Sequence, residues 1–301
     1  MQNNQQIVVK VPATTANLGP GFDCLGMALN LYNEIHMSLA PSTTIIVEGQ
    51  GADNISTDES NIVWQAARRV YEKLALPMPQ ISLKLVNQIP TSRGLGSSAA
   101  AIVGGLVAAN QLAGNQLSQE ELLALATEME GHPDNVAPAL LGGIVISVVA
   151  EGKVHYLRLE PPEDLSTVVA IPDFELSTRA AREVLPQLVS LQEAIFNLSR
   201  TALMVGALCQ KRLDLLTVAA QDVLHQPYRA PLVPGLVQVI EAAQRAGALG
   251  VMLSGAGPTV IALTGNCQEE VAAVMEKTFL ESGVKCHTKI LKPIVDGAVV
   301  L

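Results

Sequence analysis

The sequence predicts an α+β fold in two parts. Strands and helices mix in the first half, and in the second, helices lie on one side of a mostly antiparallel sheet. Three observations carry that reading. The second half runs β-α-α-α-β-β-α-β, which is not the βαβα rhythm of a doubly wound sheet. Short strand-like runs in the first half surround two central helical runs. Aromatic residues are only 3% of a chain that is 49% apolar, so the core must be built from Ala, Val, Leu and Ile.

Taken in order, residues 7–11 alternate as a strand, and residues 12–23 follow as a Gly- and Pro-rich loop carrying Asn17 and Asp23. Residues 35–39 and 44–47 read as strands. Ser60-Asn61 can cap a helix over residues 62–74, with Ile62, Ala66, Val70 and Leu74 as its core stripe. Residues 81–89 form the next strand, closed by Pro90, which has no N–H for a ladder. An apolar helix over residues 99–112 stops before Gly114. Ser118 and Glu121 make a capping box for a helix that ends near Glu130 at Gly131. A polar loop, residues 132–138, precedes a buried strand at 144–149. Residues 151–166, with Pro161-Pro162, are the best boundary, giving domains 1–163 and 164–301. Beyond it come a strand at 167–171 and a short helix capped by Ser177-Thr178 and holding Arg179 and Arg182. A helix opened by the Ser190/Glu193 box runs to about Cys209, another ends near residues 225–229, and Pro234 opens the next. Strands at 250–253 and 260–263 flank a second glycine-rich turn, 254–259. A last helix and a strand at 287–291 close the chain.

Residues 90–101 organise the chemistry. Glycines and serines fall where a helix begins, so its first four N–H groups lack helical partners and carry the positive end of the dipole. Gly94 and Gly96 leave the backbone open to close approach, and Ser97 and Ser98 add hydroxyls, which makes an anion cradle suited to phosphate. It is not a P-loop, because no lysine follows the second glycine. Gly94, Gly96 and Ala99 match the dinucleotide fingerprint literally. Pro90 and three more residues break the tight turn that fingerprint needs, and the first acid downstream is Glu120.

Glu128 and Glu130 sit in a helix's last turn, where the dipole disfavours a carboxylate by about 0.3–1 kcal/mol. Glu130 falls near the edge of the apolar face and Glu128 points away, so Glu130 calls for a compensating cation such as Mg²⁺. Nineteen basic against 28 acidic residues give a net charge of −9, which argues against nucleic acid and anionic membrane. Cys24, Cys209, Cys267 and Cys286 form no C-x-x-C pair, residues 1–6 are polar without a signal-peptide pattern, and no run is long enough to span a bilayer. The expectation is a cytoplasmic chain. Scattered histidines and the lack of a G-x-S-x-G elbow give no support to a zinc site or a serine hydrolase.

Residues 12–23, 90–101 and 253–259 resemble, in order, the three motifs of the GHMP small-molecule kinases. Within that superfamily, residues 130–138 and 225–229 are similar to the homoserine kinases. The resemblance covers nearly the whole chain. It implies a ribosomal protein S5 domain 2-like N-terminal domain, a ferredoxin-like C-terminal domain, and ATP-dependent phosphorylation of L-homoserine on the route to threonine. Thr91, Ser92, Arg93, Gly94, Leu95, Gly96, Ser97, Ser98, Ala99, Ala100 and Ala101 would then wrap the ATP phosphates, with Asn61 near the nucleoside and Ser98 and Glu130 on Mg²⁺. Asn17, Asp23, His132 and Asn135 would face homoserine, Asp23 meeting its ammonium and Asn135 its hydroxyl. Thr178, Arg182 and Arg229 would grip its carboxylate.

Asn135, Ser98 and Arg182 are the catalytic candidates. Many relatives carry aspartate where this chain has Asn135, and an amide cannot take a proton at neutral pH. The resemblance therefore implies transfer without a protein base, with Asp134 as the rival base. A homodimer is left open. A mevalonate- or sugar-type kinase and a non-catalytic nucleotide sensor are the alternatives; two arginines and an aspartate suit an amino acid better than a neutral sugar.

Overall fold

A computed structural model describes residues 6–301, so of the polar start at residues 1–6 only Gln6 lies inside the described residues. Seven strands form the first sheet: β1 (Ile7–Ala16), β2 (Leu25–Leu39), β3 (Thr44–Gly49), β4 (Ile81–Asn87), β5 (Ile144–Ala150), β6 (Lys153–Leu159) and β11 (Val299–Val300). Their order is β11-β1-β2-β4-β3, with β5 paired to β2 and β6 to β5. β3 and β4 run parallel, and the other pairs are antiparallel. Long β2 serves two neighbours: Asn33–Leu39 face β4, and Leu25–Met27 face β5. Helices α1 (Ile62–Lys73), α2 (Ser97–Leu112), α3 (Gln119–Glu130) and α4 (Pro133–Leu141) back this sheet. α2 and α4 lie on β1 and β2, while α1 and α3 pack against α2. Both capping boxes expected from sequence are formed, at Ser118/Glu121 and Ser190/Glu193.

The second sheet holds β7 (Ser166–Pro172), β8 (Gly250–Leu253), β9 (Val260–Thr264) and β10 (Cys286–Leu291) in the order β10-β7-β9-β8, antiparallel throughout. Between β7 and β8 lie α5 (Thr178–Glu183), α6 (Leu191–Cys209), α7 (Leu216–Ala219), α8 (Gln226–Arg229) and α9 (Leu236–Arg245), and α10 (Gln268–Glu281) precedes β10. After β10 the chain returns to the first sheet, where Pro293 bridges Leu29 and β11 pairs with β1.

Five local expectations change, the first being that β2 begins at Leu25, well before the strand read at 35–39. β1 continues through residues 12–16, because Pro12 sits at a register shift where a missing N–H is tolerated. The polar run after Gly131 opens helix α4, with Pro133 at a position where its fixed φ suits a helix start. Residues 153–159 are strand β6. Glu151 (φ 51°) and Gly152 (φ 74°) turn it back on β5, and its residues alternate between exposed and half-buried within the stretch read as a boundary. The motif at 225–229 begins a helix instead of ending one.

Candidate active site

The cradle is built by three loops that share backbone contacts. Gly96, in left-handed conformation at φ 69°, caps α2 without any side-chain bond to the first turn. Ser97, Ser98 and Ala99 therefore offer their amides outward, the geometry in which a helix start takes a phosphate. Both glycines also answer to packing. A Cβ on Gly96 would stand 2.0 Å from Thr14 Oγ1, and one on Gly94 would stand 2.2 Å from the Ser254 carbonyl. Leu95, Ala99 and Ala100 are fully buried, so only their backbone is free for a ligand. Arg93 turns away from the cradle. Its Nη2 donates to the Asp173 carbonyl at 2.8 Å and its Nη1 lies 3.6 Å from Glu175, tying this loop to the second sheet's rim.

At the other side of the cradle, Ser98 Oγ donates to Glu130 Oε2 at 2.9 Å. Burial pushes the Glu130 carboxyl above the usual range, against the lowering pull of the Ser98 hydrogen bond and the His132 charge. Glu128 instead reaches Arg69 across the surface, its side chain 64% exposed. A desolvated carboxylate beside a hydroxyl, both oxygen donors facing a phosphate cradle, is a donor set that fits Mg²⁺. Glu130 meets that description and Glu128 does not.

The third cluster joins both halves of the chain. Asp23 accepts a two-point fork from Arg182, Nη1–Oδ2 at 3.0 Å and Nη2–Oδ1 at 2.6 Å. This hydrogen bond is the main cause that raises the Arg182 pKa. Arg229 is 1% exposed, yet among the described residues no carboxylate forms an ion pair with it. Its Nε donates to the Ala181 carbonyl at 3.0 Å and its Nη1 to that of Gly255 at 3.1 Å. Burial, then the like charge of Arg182, brings it down to about 10, so it stays cationic at neutral pH. Both guanidiniums stand over the Phe22 ring, at 5.4 Å for Arg182 and 5.2 Å for Arg229. Thr178 opens α5 at the surface, one turn before Arg182.

Two residues given no role by the sequence hold this cluster. His225 Nε2 lies 2.7 Å from the Gly19 carbonyl, which can only accept, so Nε2 carries the proton. That leaves Nδ1 to accept from Arg229 Nη1 at 3.3 Å. Burial lowers the His225 pKa and keeps the ring neutral. Asp222 has a fully buried side chain. It accepts from the amides of Leu224, His225 and Gln226 at 3.0, 3.1 and 2.7 Å and from Asn197 Nδ2 at 2.7 Å. The only sequence signal for Asp222 was an acid three residues before a helix start.

His132 Nδ1 and Asp134 Oδ1 are 2.5 Å apart, with Asp134 2% exposed. Burial pulls the His132 pKa down, but the Asp134 hydrogen bond and charge outweigh it and the net shift is upward. Asp23, His132 and Asp134 each bring an atom within 4.8 Å of the others, so the first loop and α4 converge. Asn135 Oδ1 accepts from Thr14 Oγ1 at 2.9 Å, and Asn17 Nδ2 donates to the Gly255 carbonyl at 2.9 Å. Beside the cradle, a cavity of about 200 Å³ is lined by Asn33, Asn61, Asn87, Thr91, Ser92 and Ser98 among others. Asn61 reaches it, although its side chain is spent on capping Val63 N at 2.9 Å and on the Ser56 carbonyl at 2.7 Å. Asn33 and Asn87 are polar groups of this cavity that the sequence did not single out.

The comparisons with known proteins give this fold and cluster of loops their class. Residues 61–143 match the GHMP kinases N terminal domain and residues 204–282 the GHMP kinases C terminal domain. The chain belongs to the GHMP kinase family, and it is a phosphotransferase that uses ATP and a small-molecule acceptor. Homoserine kinase of Moorella thermoacetica is 51% identical over 98% of this chain and 99% of its own. That of Synechocystis is 45% identical over 97% of both. The crystal structure of homoserine kinase from Cytophaga hutchinsonii superposes with a TM-score of 0.90 at 32% identity, covering 100% of this chain and 99% of that one. Mevalonate kinase of L. major shares the fold alone, with a TM-score of 0.69 at 18% identity over 94% and 95% of the two chains. Among the described residues no helix is long and apolar enough to cross a membrane.

Proposed function

We propose that the chain transfers the γ-phosphoryl group of ATP to the side-chain hydroxyl of L-homoserine, forming O-phospho-L-homoserine. The observation that carries this reading is the convergence of Asp23, Arg182 and the buried Arg229 on Asp134, the neighbour of Asn135 on α4, which also faces Glu130 of the Ser98–Glu130 pair. One carboxylate and two guanidiniums complement an amino acid's ammonium and carboxylate, charges that mevalonate and sugars do not carry together.

In this reading the amides of residues 94–99 hold the triphosphate, and the Ser98 hydroxyl and Glu130 carboxylate hold Mg²⁺, which would neutralise charge on the phosphoryl oxygens. Asn17 and Thr14 are spent on the protein itself, Asn17 joining the first loop to the third and Thr14 fixing Asn135 by donating its hydroxyl to Oδ1. With Oδ1 so engaged, the Nδ2 group of Asn135 is left to meet the acceptor hydroxyl. Arg182 and Arg229 align the acceptor through its carboxylate, which lowers the entropic part of the barrier. No side chain takes the proton. It passes to a phosphate oxygen or to solvent, since a loose transition state needs no early deprotonation. Asp134, buried and engaged by His132, serves as that ring's partner.

Coupled ADP release with L-homoserine, mevalonate and galactose tests the acceptor: homoserine should be used at least about a hundredfold better by kcat/KM. Preference for another alcohol refutes the assignment, and no acceptor-dependent ADP at all leaves a nucleotide sensor. Asp134→Ala separates the mechanisms. A kcat loss with homoserine affinity unchanged would make Asp134 the base. The division at 163/164, a cytoplasmic site of action and a homodimer complete the reading; light scattering in solution tests the last.

A further inference from the structure

Asp23 and Arg182 come from opposite halves of the chain, 159 residues apart, and meet in a two-point fork whose side chains are 37% and 36% exposed. An α-amino acid carries the same two charges at comparable spacing. The pair thus fills, with the protein's own groups, the place where the acceptor's ammonium and carboxylate are to sit. Arg229 and Asp134 act on this pair through charge, but among the described residues neither side chain of the pair makes a hydrogen bond to any other side chain. Asp134 is held by His132, and Arg229 is engaged with two carbonyls and His225.

We propose that the Asp23–Arg182 pair is a specificity latch that opens at little net cost only to a zwitterion. A ligand with both charges compensates both halves as they separate. A ligand with one charge strands the other half without its partner, so single-charge alcohols are rejected by more than the contact they lack. The inference rests on homoserine as acceptor.

Titration calorimetry on the full chain tests it with three probes: L-homoserine, 4-hydroxybutyrate (carboxylate only) and 3-aminopropan-1-ol (ammonium only). Asp23→Asn releases the Arg182 fork, so 4-hydroxybutyrate should bind about fivefold tighter than to wild type while homoserine weakens. Arg182→Lys keeps the positive charge but loses the fork, and 3-aminopropan-1-ol should bind about threefold tighter. Simple ammonium and carboxylate subsites with no latch predict no gain for either single-charge probe. Gain in Asp23→Asn alone, the result of removing a negative charge near an anion, overturns the proposal, as does gain in neither. Failure of the acceptor reading looks different: wild type itself would then bind no homoserine.

Discussion

Asp222→Ala is the most demanding test of how the acceptor site is held. The Asp222 side chain is wholly buried and accepts four hydrogen bonds, three from successive backbone amides and one from Asn197. Truncation leaves those four donors without their acceptor. Hydrogen bonds to a charged group contribute about 1.5–3 kcal/mol each, but donors on one turn relax together, so their sum overstates the loss. Removing one partner of a buried charged cluster typically costs about 3–5 kcal/mol, and we expect about 4 kcal/mol here. For a chain of this size that lowers Tm by about 10 °C. Asp222→Asn keeps one acceptor oxygen and should lose about half as much.

The functional consequence is directional. Asp222 fixes the start of α8, which carries His225 and Arg229 to the proposed acceptor site, whereas the proposed phosphate cradle hangs on other loops. Below the melting range, Asp222→Asn should raise KM for homoserine by roughly tenfold and leave KM for ATP within about twofold. Thermal unfolding and the two KM values are the assays. An Asp222→Ala loss under about 1 kcal/mol, or an ATP KM that rises as much as that of homoserine, refutes the reasoning.

Three further outcomes are expected. Glu130→Gln should lower kcat by roughly 10²-fold and raise the Mg²⁺ concentration needed for half-activity, while Glu128→Gln, on an exposed Arg69 pair, changes neither by more than about twofold. Gly96→Ala must place a Cβ 2.0 Å from Thr14 Oγ1 at φ 69°, so urea denaturation should show at least about 2 kcal/mol lost. The lowered His225 pKa makes stability fall with acid: the unfolded chain binds the proton first, so stability is full above about pH 6.5 and is lost as pH drops through the unfolded value toward the folded one. Tm between pH 7.5 and about pH 5 should therefore fall less in His225→Gln than in wild type.

Much of the fold was readable because its signals are local. Ser118 with Glu121 and Ser190 with Glu193 start helices whatever lies around them, and the Gly/Ser run at 94–98 exposes amides by its own conformation. Glu130 was separable from Glu128 by helical angle alone, since burial of one face is a property of the helix. What stayed hidden depends on distant partners. His225 acquires its tautomer from Gly19, 206 residues away, and Asp222 acquires its importance from Asn197 on another helix. Strand β6 does alternate, but Glu151-Gly152 before it and Pro161-Pro162 after it made the whole run read as a boundary, and β1 past Pro12 escaped because it is covered on both faces.

The glycines of the cradle show why three short motifs so far apart in sequence belong to one site. Gly94 cannot carry a side chain because the Ser254 carbonyl occupies the space, and Ser254 Oγ in turn bonds the Gly94 carbonyl and Thr15. Gly96 is excluded from change by Thr14, whose amide donates to Leu95 O and whose hydroxyl fixes Asn135. The amide of Gly255 donates to Ala16 O, and Asn17 returns a bond to Gly255 O, whose other donor is Arg229. Each loop is thus the template for the next, and the chain of contacts runs without a gap from the turn at residues 94–98 to Asn135 and Arg229. A shift in the cradle reaches Asn135 through Thr14 and Arg229 through Gly255, while helix α4 and the Asp222-held start of α8 anchor the other ends of those contacts. In the proposed reading it is this close backbone contact, more than any single reactive side chain, that would align the two substrates.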